Sequence, residues 1–326
     1  MGCTSEVVVA QELSANTQPP ILVVGQGACF GFGGTNARYG RIFGNNLSGY
    51  ESKKTPDTPD KFFGWTGRLL LEAADQGAEW VVAGFPGPVT PDGRIVGPMT
   101  NVSGLENKRY DLAAELTKTD PAIERLLSGN FLLIAVNDGE LAAQAVAARM
   151  GQAHNNVAAL IMGTGQGTGV VKRDSTMTEV FRADRVNPFE TGHLIRDPRN
   201  IGDTFENRIA GPAIERRAKM SAKDIPVDHP IWREVGEEAG LIAHYLGLIS
   251  GVELVVPTGG VGAGASDKFS RHMEQFLSNI RDNGNGPQSM FIPRVAYVDP
   301  KEANEFEMYG ASGIMVDVRT RKQIAA

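Results

Sequence analysis

Three glycine clusters stand at the ends of apolar runs: Gly33-Gly34-Thr35, Gly163-Thr164-Gly165-Gln166-Gly167-Thr168-Gly169 and Gly259-Gly260-Val261-Gly262. Glycine lets backbone N–H groups approach a phosphate without a Cβ in the way, and threonine adds a hydroxyl donor. One such cluster alone reads first as a hairpin turn. Three, each beside a strand, point to phosphate binding. None has the strand, G-x-G-x-x-G, helix and distant acid of a dinucleotide site, and no Gly-Lys-Ser/Thr of a P-loop is present.

Two further groups carry polar chemistry. Asn137-Asp138 follows the apolar run Phe131–Val136 and opens an Ala-rich stretch. The pair suits a helix N-cap. It also sets a carboxylate at the C-terminal end of a strand, where α/β proteins place ligands. Glu190-Thr191-Gly192-His193 brings a carboxylate and an imidazole three residues apart around a glycine. A lone histidine is more often structural, and a turn offering both groups to a polyol is the sharper alternative. No Ser/His/Asp order and no Cys/His metal set stands out.

These groups need strands and helices to hold them. Ile21–Val24 is a short apolar run, and the residues on either side of Gly33-Gly34 suggest a hairpin with a tight turn. The spacing predicts a helix over 60–76, a strand over 79–85, helical segments over 108–127 broken near Pro121, a strand over 131–136 and a helix over 137–150. The second half repeats this grammar. It reads as a strand over 157–162, a glycine turn over 163–169, a strand over 169–172, helices near 211–220 and 232–250, a strand over 252–256, a helix over 267–281, a strand within 290–298 and a closing helix over 303–318. Alternating strands and helices mean an α/β fold.

The chain has 326 residues, which suits two lobes better than one core. Hydrophobic residues are 41% and charged residues 21%, the balance of a globular protein in water. A net charge of -6 supplies no basic stripe for nucleic acid. No apolar run is long enough to span a membrane. Cys3 and Cys29 give no disulfide framework, so a cytoplasmic, reducing compartment is expected. Residues 1–20 read as a loosely ordered extension without the basic and apolar regions of a signal peptide. The opening Met1-Gly2-Cys3 is similar to an acylation start, but Glu6 stands where that motif wants Ser or Thr.

Taken in order, the pieces resemble the ROK and bacterial glucokinase families over residues 21–318. Gly33-Gly34-Thr35-Asn36-Ala37-Arg38 resembles their first phosphate loop, and Gly84-Phe85-Pro86-Gly87-Pro88-Val89 their G-x-P-G-P-V. Asn101-Val102-Ser103-Gly104 is similar to the asparagine segment that follows. Asn137-Asp138 resembles the N-D of the catalytic helix, Gly163–Gly169 the second phosphate loop, and Glu190-x-Gly192-His193 the E-x-G-H sugar signature. Phe205-Glu206 with Ala210–Ala213 resembles the stretch after the zinc loop, Gly259-Gly260-Val261 the adenosine-side glycines, and Tyr309–Ser312 the closing G-A helix.

The resemblance implies a two-lobed actin-like ATPase fold of the ribonuclease H-like type with a central interdomain cleft. It implies a small domain of residues 21–136 with 306–326 and a large domain of residues 137–305. It implies a sugar kinase, glucokinase first, that uses ATP and Mg²⁺, with a homodimer as the expected assembly. Asp138 is then the general base. Asn101, Asn137, Asp138, Glu190, His193 and Glu206 bind the hexose. Gly33, Gly34, Thr35, Asn36, Gly163, Thr164 and Gly165 hold the phosphates, and Gly259, Gly260, Val261 and Gly310 lie on the adenosine side.

Two positions depart from the pattern. Gly31 stands where the family has an aspartate at the metal–phosphate end, a loss that water around Mg²⁺ is expected to cover. The zinc-binding cysteines are absent from 199–204, so His193 is expected to serve the sugar. Other hexose kinases (fructose, mannose or N-acetylhexosamine) and a catalytically silent sugar binder remain open readings, as do ADP or polyphosphate as donor. A sugar-sensing repressor needs a DNA-binding domain, for which residues 1–20 are too short.

Overall fold

The computed structural model describes residues 25–315 apart from 45, 91, 152, 174–177, 181–189 and 285. The apolar run Ile21–Val24 and the extension 1–20 lie outside the described residues. Among the described residues the first sheet begins in the glycine-rich stretch. Strands β1 (Gln26–Phe32), β2 (Asn36–Phe43) and β3 (Asn46–Lys54) form an antiparallel meander, and the β1–β2 turn is the predicted one at Gly33-Gly34. Helix α1 (Pro59–Asp75) follows, with Thr58 accepting from Lys61 N–H as its cap. Strand β4 (Trp80–Phe85) lies parallel to β1. After a small ribbon of β5 (Ile95–Val96) and β6 (Tyr110–Asp111) come α2 (Leu112–Thr119) and α3 (Pro121–Leu127), split at Pro121 as predicted. Strand β7 (Leu132–Asn137) completes the order β3-β2-β1-β4-β7, and α4 (Asp138–Arg149) leaves it.

The second half builds the same sheet again. Strands β8 (Asn156–Met162), β9 (Gln166–Arg173) and β10 (Thr178–Val180) form the antiparallel part. A hairpin of β11 (Ile195–Asp197) and β12 (Asn200–Thr204) leads to α5 (Glu206–Ile209), α6 (Gly211–Ala218) and α7 (Ile231–Ser250). Strand β13 (Leu254–Thr258), α8 (Gly259–Gly262), α9 (Ser266–Asn283), α10 (Pro287–Met290) and β14 (Arg294–Val295) close the order β10-β9-β8-β13-β14. Each sheet is thus three antiparallel strands followed by two parallel ones. The two sheets are the cores of two α/β lobes.

Two predicted boundaries move. The glycine turn is only 163–165. Gly167 and Thr168 are already strand, paired with Ile161 and Leu160, ahead of the strand expected from 169. The closing helix starts at Gly310, because Phe306–Tyr309 winds as a 3₁₀ turn. Phe306 packs into one lobe and Met308 into the other, so two cores constrain the chain there.

Helix α4 runs between the lobes. Gly139 through Ala147 are all buried, on every face of the helix. Small residues permit this, since both sides must approach its backbone. A Cβ at Gly169 on β9 would lie 1.8 Å from the Gly139 carbonyl, and one at Gly310 would lie 2.0 Å from the Leu141 carbonyl. Cys29 is buried in the first lobe, and burial pushes its thiol pKa up, away from reactivity.

Candidate active site

A cleft of about 940 Å³ opens between the lobes, at the upper end of ordinary ligand pockets. Phe32, Gly33, Gly34, Thr35 and Asn36 line it from the first lobe, and Gly163, Thr164 and Gly165 face them from the second. Thr55 fixes the first loop through a 2.6 Å hydrogen bond to the Gly33 carbonyl. Gly34 leaves no room for a side chain, since a Cβ would lie 2.4 Å from the Asn101 carbonyl. The loops meet where Thr35 Oγ1 and Thr164 Oγ1 share a hydrogen bond of 2.8 Å. Asn101 lies beside the second loop, its Nδ2 2.3 Å from where a Gly165 Cβ would be.

Asp138 is the first residue of α4 and lines the cleft. Its Oδ1 accepts a hydrogen bond from Gly139 N–H. Burial, then the charges of Glu307 and Glu190, push its pKa up to about 8. Favourable backbone hydrogen bonds at the helix start oppose this shift but do not cancel it. Asn137 takes the cap role anticipated for it. Its Oδ1 accepts from Gly139 N–H at 2.8 Å, and its Nδ2 donates to the Gly87 carbonyl at 2.9 Å. The side chain therefore ties the Pro86-Gly87-Pro88 turn to the start of α4.

The turn 190–193 is anchored from below. Thr191 is buried and bonds Thr168 Oγ1 at 2.6 Å and the Gln166 side chain. Gly192 is required, because a Cβ would lie 2.4 Å from the Gln166 carbonyl. Glu190 and His193 are left facing the cleft. Burial raises the Glu190 pKa, the nearby His193 lowers it, and Glu206 adds to the rise. Glu206 also lines the cleft, with Oε2 accepting from Gln166 N–H at 3.0 Å.

On the far side, Gly259 adopts φ of +80° beneath the Met162 carbonyl, a conformation that favours glycine. Gly259, Gly260 and Val261 all line the cleft there. Gly310 is not among the lining residues. Its place is against the Leu141 carbonyl of α4, so its absent side chain serves packing. The motif reading did not single out Arg38 as a site residue, nor Lys223, Lys268 or Glu307, which also line the cleft. Arg38 closes the first glycine motif without a role of its own in it, and no motif marks Lys223, Lys268 or Glu307.

The segment 199–204 belongs to the β11–β12 hairpin. Asp203 accepts from Arg208 at 2.7 Å and from Arg196 at 3.1 Å, and Arg196 reaches Glu238 at 2.7 Å. The two guanidiniums hold the Asp203 carboxyl below its usual range. Among the described residues no group of three or more His, Cys, Asp and Glu could hold a metal. Purified protein is expected to carry no stoichiometric zinc by elemental analysis. Asp203→Ala is expected to lower Tm, since the ion pairs hold the hairpin that continues from His193. Stoichiometric zinc, or an unchanged Tm, overturns this account.

No family model and no curated protein sequence matches the chain. Solved structures do. A ROK family glucokinase from Streptomyces griseus, in complex with glucose and AMPPNP, superposes with a TM-score of 0.71 at 18% identity, covering 89% of this chain and 99% of that one. This chain has the ROK fold. The ROK hexokinase from Thermus thermophilus gives a TM-score of 0.64 at 19% identity over 90% of this chain and 99% of its own. A ROK family transcriptional regulator, a homolog of the E. coli MLC protein, gives 0.66 at 17% identity over 90% of this chain and 78% of its own. The ROK fold accounts for the duplicated sheets and the cleft between them. It serves both kinases and regulators, so activity must be argued from the site. No described helix is long and apolar enough to cross a membrane.

Proposed function

We propose that this chain is a hexose kinase, with glucose as the first candidate substrate, that transfers the γ-phosphoryl group of ATP to the sugar 6-hydroxyl. The observation that carries this reading is Asp138. It stands at the head of α4 in the cleft, beside a sugar-type turn and two glycine loops, with its pKa displaced toward the working range of a base. The S. griseus structure, bound to glucose and AMPPNP, supports the same pairing of ligands.

In this reading the hexose lies against Asn101, Glu190, His193 and Glu206, whose carboxylates can each accept several hydroxyl hydrogens. Asn137 acts on the backbone, holding the Gly87 turn and the helix start in register. Asp138 takes the proton of the 6-hydroxyl as that oxygen attacks the γ-phosphorus and the bond to the ADP oxygen breaks. Backbone N–H groups of 33–35 and 163–165 with the two threonine hydroxyls receive the phosphates, and Gly259-Gly260-Val261 flanks the nucleoside. Closure of the lobes keeps water from competing as acceptor. The cleft suits Mg²⁺ bound through phosphates and few protein ligands, since it offers single carboxylates rather than a cage. When bound, Mg²⁺ supplies charge neutralisation on the phosphates. Asp138 and Glu307, which both line the cleft, are the carboxylates that would hold it.

The test is an ATP-coupled assay over glucose, fructose, mannose and N-acetylhexosamines. Turnover with glucose above the others is expected. Turnover only with another hexose changes the substrate and keeps the class. Gly31 and the regulator neighbour favour one second reading, a silent sugar binder. Sugar binding by calorimetry without phosphorylation of any sugar at any Mg²⁺ level would establish it.

A further inference from the structure

Glu307 sits in the 3₁₀ turn Phe306–Tyr309, and no motif marks it. Its side chain nevertheless enters the cleft at the head of the first glycine loop. A Cβ at position 31, near the end of β1, would lie 2.8 Å from Glu307 Oε1 and 3.4 Å from Met308 Sδ. The space that a side chain at 31 would occupy is therefore filled by the Glu307 carboxylate. Any residue larger than glycine there must displace it.

The sheet register connects this point to Asp138. Gly31 pairs with Arg38 on β2 and with Gly84 on β4. A Cβ at Gly84 would in turn lie 3.6 Å from Asp138 Cα. One row across the sheet thus runs from Arg38 through Gly31 and Gly84 to the start of α4. Arg38 forms an ion pair with Glu307, and their side chains are 16% and 17% exposed. Both are held, yet both reach the cleft. Arg38 Nε is buried with no hydrogen-bond partner, so the guanidinium keeps an unused donor beside its ion pair. One guanidinium contact leaves most of the acceptor positions of a carboxylate available.

We propose that Glu307 supplies the metal-side carboxylate of the phosphate site, that Gly31 is small so as to admit it, and that Arg38 positions it. The assignment rests on the kinase reading. It replaces the expectation that water alone covers the missing carboxylate. Mg²⁺ bound to nucleotide needs one or two carboxylates beside phosphate oxygens and water, and Glu307 meets that need from the opposite end of the chain.

Calorimetry of ATP binding, with Mg²⁺ and separately in EDTA, tests this without reference to turnover. Glu307→Gln keeps an oxygen to accept from Arg38 and removes the charge. It is expected to weaken Mg²⁺–ATP binding about tenfold or more, while metal-free ATP binds as well as to the wild type or better. Gly31→Asp alone is expected to lower Tm, because two carboxylates compete for one space. The pair Gly31→Asp with Glu307→Ala is expected to regain the Mg²⁺-dependent tightening that Glu307→Ala alone loses. Equal shifts in both titrations of Glu307→Gln would show a mere counter-ion of Arg38 and overturn the proposal, as would a failure of the paired variant to regain tightening. Should Glu307→Gln not fold, the paired variant decides. Absence of any ATP binding by the wild type overturns the kinase reading itself, and this assignment with it.

Discussion

Asp138→Asn is expected to lower kcat by roughly 10²–10⁴-fold, the contribution of a positioned general base, while the protein stays folded. Asparagine keeps an oxygen to accept the Gly139 N–H and can still begin a helix, so the geometry of α4 has no reason to change. Its effect on stability has a definite sign. The native state holds the Asp138 proton up to about pH 8, whereas an unfolded aspartate releases it near 4. Between those values the folded protein binds more protons than the unfolded one. Wild-type stability attributable to this group is therefore full at low pH and falls as pH rises toward 8, by on the order of a few kcal/mol. Asp138→Asn escapes that loss, so its Tm relative to wild type should rise from pH 5 to pH 8. The kcat/KM of the wild type should climb about tenfold per unit below its free-enzyme pKa and level off near pH 8. Retention of more than a few per cent of activity would remove Asp138 from the base role. Unfolding of the variant would instead show that the buried carboxyl at this position is needed for the fold.

The second large effect is expected at Gly169, which no ligand needs to touch. A methyl group there would lie 1.8 Å from the Gly139 carbonyl and 2.9 Å from Ala143 Cβ. Neither neighbour is the end of a flexible side chain, so α4 must move as a body. Gly169→Ala should cost about 3 kcal/mol, at the upper end of overpacking, with Asp138 displaced and kcat reduced as well. Gly64→Ala is the matched contrast. That glycine lies inside α1 with nothing within 4 Å of a new Cβ, so the same substitution should stabilise by roughly 0.5–1 kcal/mol. Calorimetric unfolding of both variants gives the comparison. A Gly169→Ala protein as stable and active as wild type would show that α4 is not pinned at this contact.

These two residues illustrate different kinds of legibility. The place of Asp138 was readable because an apolar run, a capping residue and an Ala-rich helix follow one another directly in the chain. The same holds for the turn at Gly33-Gly34, the break at Pro121 and the Glu190–His193 turn, whose chemistry lies within a few consecutive residues. The role of Gly169 was not readable. It stands where a glycine turn meets a strand, and nothing in its neighbours shows that the backbone of α4 packs directly on it.

By itself, the amino-acid sequence determined which segments could become strands, helices and glycine turns, and which carboxylates stand at strand ends. Those properties depend on backbone freedom and on capping, and both act over a few residues. Only the tertiary structure decided that Asn137 spends its amide on Gly87, that Gly310 packs on α4 instead of facing the cleft, and that the Glu307 carboxylate fills the space beside Gly31. Each of these depends on two segments distant in the chain competing for the same few ångströms, and such competition has no local signature.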